Sequence, residues 1–175
     1  MKTLNQVWLT DIAQHHTGEG KLYLCAIKDA WSRRIIGYSI DNRMKASLAV
    51  RALNNAIANR RRAGADVAGC IVHSDRGAQF RAKRFLRALK HHGLVGSMGR
   101  VGVTGDTAAM ELFYSLLQNN VLNAQPLPTR EELRQRIVRW SERTYHQRRK
   151  QQGLGKLTPV AYEEKLITQA LTLAA

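Results

Sequence analysis

Apolar residues recur along this chain in two rhythms. Val7-Trp8-Leu9 leads into Thr10-Asp11-Ile12, and residues 4–13 read as a strand that ends near Asp11. After a turn at Gly18-Glu19-Gly20, residues 21–27 alternate and then run apolar, the pattern of a central strand. Asp29 to Arg33 reads as a hairpin connection, and residues 34–40 as a third strand carried by Ile35, Ile36, Tyr38 and Ile40. These three strands predict an antiparallel meander with short turns. The rhythm then changes. Positions 48, 49, 52, 53, 56 and 57 are apolar, which predicts a helix over residues 47–62 with Ser47 in its N-cap region. A loop over 64–69 precedes a short apolar strand, Cys70-Ile71-Val72, that ends at His73-Ser74-Asp75-Arg76-Gly77. Ala82, Phe85, Leu86 and Leu89 place a helix over 79–92, with Gly93 as its C′ residue. Residues 94–98 read as a short fifth strand, and residues 99–105 as a glycine-rich loop. A helix from about Thr107, capped by Asp106 or Thr107, carries Met110, Phe113, Tyr114 and Leu117 as its apolar stripe. A last helix over 131–145 has an acidic first turn and basic later turns, matching the helix dipole. The order predicts an α/β domain with a mixed sheet.

Composition narrows the partner. At 175 residues the chain is one ordinary domain, and a hydrophobic fraction of 44% is that of a globular protein. The longest clean apolar stretch, Leu22 to Ile27, is six residues, far from the roughly 20 a membrane span needs. The N-terminus has no apolar segment of signal-peptide length, so the expected location is the cytoplasm, with no membrane partner. Cys25 and Cys70 lie in apolar runs without the spacing of a disulfide framework or a zinc site. With 28 Lys+Arg against 13 Asp+Glu, the net charge is +15. Basic residues cluster at Arg60-Arg61-Arg62, over Arg81 to Lys90, and at Arg148-Arg149-Lys150, which favours a shared nucleic-acid surface over three unrelated solvated faces.

The scarce acids carry more information than the abundant bases. Five of the 13 lie in the C-terminal quarter, at Glu131, Glu132, Glu142, Glu163 and Glu164. Elsewhere, Asp11 and Asp75 each end an apolar strand, and Glu111 lies on the first turns of the helix after the glycine-rich loop, displaced from its apolar stripe. Thirty-five residues separate Asp75 from Glu111. Singly, each reads as a turn, cap or dipole partner. Together, with the first and fourth strands adjacent, they would repel one another, and divalent cations would relieve that repulsion. Two Asp and one Glu suit Mg²⁺, and two such ions clamp the oxygens of an in-line phosphoryl displacement. No GxxxxGK[ST] loop and no G-x-S-x-G elbow offers another chemistry.

At these residues the chain resembles the integrase catalytic core of bacterial insertion-sequence transposases, within the DDE transposase and retroviral-integrase superfamily. The matching runs are Val7 to Ile12, Leu22 to Asp29, Ser32 to Tyr38, His73-Ser74-Asp75-Arg76-Gly77-Ala78-Gln79-Phe80, Ser97 to Arg100, Asp106 to Phe113, and Tyr145-His146 through Leu157-Thr158-Pro159. The resemblance implies an RNase H-like fold with a five-stranded mixed sheet, its first three strands antiparallel, flanked by helices. Residues 1–125 would form the catalytic core and residues 126–175 a basic helical extension packed on it or continuing it. It implies that Asp11, Asp75 and Glu111 bind two Mg²⁺ (or Mn²⁺), and that the enzyme nicks transposon-end DNA and transfers the 3′-hydroxyl to a target phosphodiester. Arg76, Gln79 and Arg100 become candidates for DNA-backbone contacts, and a homo-oligomer is expected.

The chain departs from that pattern at Thr107, where the family commonly begins an Asn-Ala or similar pair, at Leu112, where it commonly has Ser, and at residues 118–120, where Gln-Asn-Asn replaces a basic residue. The first strand begins within ten residues of Met1, so the upstream helix-turn-helix region of full transposases is expected to be absent from this chain. Two alternatives stay open: a catalytically silent DNA-binding remnant of a truncated transposase, and an RNase H-type nuclease acting on RNA–DNA hybrids.

Overall fold

A computed structural model describes residues 3–99, 106–123 and 125–174. The meander forms as expected: β1 (Val7–Thr17), β2 (Gly20–Asp29) and β3 (Ile35–Asp41) pair antiparallel in sequence order. α1 (Ala46–Arg62) returns the chain to β4 (Ile71–Ser74), which pairs parallel with β1, and β5 (Val95–Met98) pairs parallel with β4. The sheet order is therefore β3-β2-β1-β4-β5. β1 is central, and the forward-running strands β3, β1, β4 and β5 all point to one edge.

Alternation along the strands builds two cores. One face sends Trp8, Cys25, Ile27 and Val72 against Leu48, Leu53 and Ile57 of α1 and against Phe85 and Leu89. The other sends Leu9, Leu22, Leu24 and Ala26 against Met110, Phe113 and Leu117, with Leu133, Ile137, Trp140 and Tyr145 from the C-terminal part of the chain. The helices on this second face are α4 (Asp106–Leu117), extended by a π-helical turn over Gln118–Leu122, and α5 (Arg130–Arg139), extended by another over Trp140–Tyr145.

Three boundaries differ from the sequence reading. β1 does not end at Asp11 but runs six residues further, because beyond Leu9 it no longer needs β4: residues 12–17 pair with β2 alone. Gln14 and His16 of that arm are exposed and its buried positions are the polar His15 and Thr17, so it carries little of an apolar signature. The helix expected over 79–92 is split into α2 (Ala78–Arg81) and α3 (Lys83–His91) by Ala82, which is extended at φ −62°, ψ 138°. Phe80 and Phe85 explain the break. Five residues apart, they would point about 140° apart on one continuous helix, yet both are buried in the same core with ring centroids 5.4 Å apart. At α1, Lys45 rather than Ser47 holds the N-cap position, with no side-chain cap.

Two further helix starts carry local capping signals. Thr129 and Glu132 form a complete capping box at the start of α5. Thr158 caps α6 (Pro159–Ala174) by accepting from the Ala161 N–H at 3.2 Å, with Pro159 at the first helical position. Gly93 behaves as expected, closing α3 with φ +70°. No helix among the described residues is long and apolar enough to cross a membrane.

Candidate functional site

The parallel pairing of β1 with β4 sets the geometry. Val7 lies beside Ile71, Trp8 beside Val72 and Leu9 beside His73. Two residues further in the same register stand Asp11 and Asp75, where β4 has ended and its chain turns away. Asp11 is held on its other side by the pairing of Asp11 with Ala26 in β2. It is thus a mid-strand residue on rigid backbone, and it shares the face of β1 that Leu9 presents to α4. Asp75 is exposed on the turn into α2, where its Oδ1 accepts the Gly77 N–H at 2.8 Å. A Cβ on residue 77 would lie 2.8 Å from that same oxygen and 3.3 Å from Gln79 Oε1, so glycine lets the turn close tightly around Asp75.

Glu111 comes from α4, one turn before Tyr114. The Tyr114 hydroxyl donates to the backbone carbonyl of Asp11 at 2.8 Å, which fastens this helix over the middle of β1. Glu111 is exposed and, among the described residues, makes no hydrogen bond or ion pair. Asp11 feels the negative charge of the other two carboxylates. Burial raises the Asp11 carboxyl above its ordinary range, the hydrogen bond from Ile12 N–H (2.8 Å) opposes this, and the negative charges of Asp75 and Glu111 add to it. Among the described residues no Lys or Arg forms a salt bridge with any of the three, although the chain carries 28 of them. Five other acids, Asp29, Asp41, Glu131, Glu142 and Glu163, do have Arg or His partners.

The donor set is hard oxygen, the chemistry of Mg²⁺ or Mn²⁺, and a divalent cation would offset the repulsion felt at Asp11. The arrangement is open: among the described residues no group of three or more His, Cys, Asp or Glu stands ready-made at metal-holding distance. An open carboxylate set still suits Mg²⁺, which keeps several waters and substrate oxygens in its shell. Of the candidate DNA contacts, Arg76 is exposed beside Asp75, and Gln79 is half-buried with its amide donating to the Met44 carbonyl at 3.4 Å. Arg100 lies outside the described residues. From sequence, Tyr114 reads only as an apolar stripe residue, and Lys28 carries no site motif of its own. Yet Lys28 is buried beside Leu9 and donates to the Ala109 carbonyl at the start of α4. A lysine at the end of the apolar run from Leu22 was the available signal.

Family and fold are shared with known proteins. The integrase core domain family matches residues 2–103. Transposase InsF of insertion sequence IS3A from Escherichia coli K12 is 37% identical over 161 residues, covering 92% of this chain and 54% of the relative. A 31 kDa protein of insertion element IS600 from Shigella sonnei is also 37% identical, over 92% of this chain and 58% of its own length. The chain spans about half the length of the curated relatives it matches. Among solved structures, the HTLV-2 integrase catalytic core domain in complex with magnesium superposes with a TM-score of 0.66 at 16% identity, covering 91% of this chain and 96% of that one. The catalytic core of BIV integrase superposes with a TM-score of 0.66 at 17% identity, covering 95% and 99%. These likenesses show the fold: the five-stranded mixed sheet flanked by helices is that of the RNase H-like integrase cores.

Proposed function

The chain belongs to the integrase core domain family, and from that premise we infer that it is the catalytic domain of a DNA transposase whose chemistry is carried by Asp11, Asp75 and Glu111. One observation carries the reading. In a chain of net charge +15, the carboxylates of the β4 turn and of α4 both act on Asp11 of β1, while among the described residues no cationic side chain forms a salt bridge with any of the three.

In this reading Asp11, Asp75 and Glu111 together would hold the two Mg²⁺ or Mn²⁺ ions, with Asp11 on the paired backbone of β1. When bound, such ions activate the attacking oxygen and stabilise charge on the leaving oxygen of a phosphodiester. The protein's own part is positioning. Continuation of the β1–β4 register would bring the two aspartates alongside one another, and the Tyr114 hydroxyl, by tying α4 to β1, would help bring Glu111 toward them. Arg76 and Gln79, with Arg100, would hold the DNA backbone beside the site, and the basic surface would supply a salt-dependent grip. Residues 1–125 would then be the catalytic core, with residues 126–175 as the extension that braces it. The working form would be a homo-oligomer on DNA in the bacterial cytoplasm.

The test is nicking or joining of labelled duplex carrying the element's terminal sequences in Mn²⁺. Wild-type protein is expected to cut, and Asp75→Asn and Glu111→Gln to fall to background. Activity surviving in either variant would overturn the assignment. Salt-sensitive binding with no metal-dependent cutting would instead identify the silent DNA-binding remnant.

A further inference from the structure

Lys28 is the unusual residue of the second core. It is only 1% exposed, it sits in β2 opposite Leu9 of β1, and its aliphatic stem runs under α4. Among the described residues no carboxylate pairs with it. Its Nζ donates to the Ala109 carbonyl at 2.7 Å and lies 5.8 Å from the centre of the Tyr145 ring. A buried ammonium without a counter-ion is costly, and a methionine would fill much the same space without that cost. The chain nonetheless places a long, flexible donor here, aimed at one backbone oxygen.

That oxygen belongs to the turn that carries Glu111. Ala109 lies two residues before Glu111 and Tyr114 three residues after it. Tyr114 ties its end of this stretch to the Asp11 carbonyl at 2.8 Å and to the Leu24 carbonyl at 3.4 Å. Lys28 ties the other end to β2. A carbonyl has two lone pairs, so Ala109 accepts Lys28 while keeping its place in the helix. Glu111 itself has no fastening among the described residues, so the two ties on either side of it fix how far its carboxylate stands from Asp11. Met110, Phe113 and Leu117 pack the helix on the sheet, and the two ties add direction at the turn that carries Glu111.

We propose that Lys28 is a positioning residue for the carboxylate site, holding the first turns of α4 on the sheet so that Glu111 reaches the cation shared with Asp11. The inference rests on reading Asp11, Asp75 and Glu111 as that site. It separates the function of Lys28 from stability, because the bond it makes serves placement rather than core packing.

The experiment compares wild type, Lys28→Met and Asp11→Asn by thermal melting, by Mn²⁺ titration with electron paramagnetic resonance of the free ion, and by hydrogen exchange of the α4 amides. Lys28→Met is expected to melt no lower than wild type, to bind Mn²⁺ about tenfold more weakly, within the range seen when residues orienting metal ligands are removed, and to exchange faster over Met110 to Phe113 than wild type. Mn²⁺ affinity within twofold of wild type, with slower or unchanged exchange, would overturn the proposal while a weak Asp11→Asn leaves the site itself standing. Equal Mn²⁺ binding by wild type and Asp11→Asn would remove the site, and this proposal with it. Should Lys28→Met fail to fold, Lys28→Gln, a shorter neutral donor, is judged by the same tenfold criterion.

Discussion

Lys28 and Asp29 are neighbours on β2 and send their charges into opposite faces of the sheet, where they meet opposite treatment. On the α1 face, Asp29 Oδ2 accepts from Arg60 Nη2 at 3.3 Å, and Arg60 also forks onto Glu163 of α6 at 2.6 and 3.0 Å. Ser32 and Arg34 complete Glu163 at 2.6 and 2.8 Å. Burial lowers the Arg60 pKa, but the two carboxylates more than reverse it; burial likewise raises that of Glu163, but Arg60, Ser32 and Arg34 hold it below its ordinary range. On the α4 face, Lys28 has one carbonyl and one ring, and burial, reinforced by the positive charge of Arg33, pushes it down to about 7. The difference teaches what each buried charge is for. The Arg60 cluster locks α1, β2 and α6 into one body, so removing a member strands the others. Lys28 has no charged partner to strand.

Arg60→Met should have the greatest effect on stability. It leaves Asp29 and Glu163 buried without their cation and should cost about 3–5 kcal/mol in urea unfolding, since breaking a buried pair from one side leaves an uncompensated charge. An effect as small as that of Lys28→Met would erase the distinction between the two faces. Next in size is acid sensitivity. Because Glu163 is held below its ordinary pKa, its contribution is present above about pH 4.5 and is lost as pH falls through its lower folded value. Glu163→Gln should flatten that part of a stability–pH curve.

Lys28 predicts the opposite slope at the other end of the scale. Its folded pKa of about 7 lies below the unfolded 10.5, so the unfolded chain binds the proton that the folded chain lacks between these values. Wild-type stability should therefore rise with pH across about 7 to 10.5 relative to Lys28→Met, read from thermal melts of both proteins at each pH. A flat difference would place Lys28 in a wetter setting than this core. The smallest effect concerns the rim. Arg76→Ala should leave stability unchanged within about 0.5 kcal/mol and lower the salt slope of DNA binding by about 0.9, the share of one phosphate contact.

The same two faces show what sequence alone could deliver. The meander, α1 and the short fourth strand were legible from apolar periodicity, and the three acids stand out as candidates because acids are rare in a basic chain; both are local or compositional facts. Asp11 was misplaced at a strand end because the arm over residues 12–17 pairs on one side only and loses its apolar signature. The break at Ala82 was hidden because its cause, Phe80 and Phe85 sharing one core, is a tertiary demand on a segment with good helical spacing. Lys28, Arg60 and Glu163 were hidden for a related reason. Arg60 was read as one of three surface arginines, whereas its partners lie 31 and 103 residues away in sequence. No local pattern announces such a meeting. Thr129 and Thr158, by contrast, were readable caps.

The central claim is that three unneutralised carboxylates form a divalent-cation site on an integrase core. Anomalous scattering from a crystal soaked in Mn²⁺ tests it most directly. The account predicts manganese at the Asp11 carboxylate, with Asp75 or Glu111 sharing its shell, and loss of that peak in Asp11→Asn. Manganese bound elsewhere, or a peak that persists in Asp11→Asn, would contradict it.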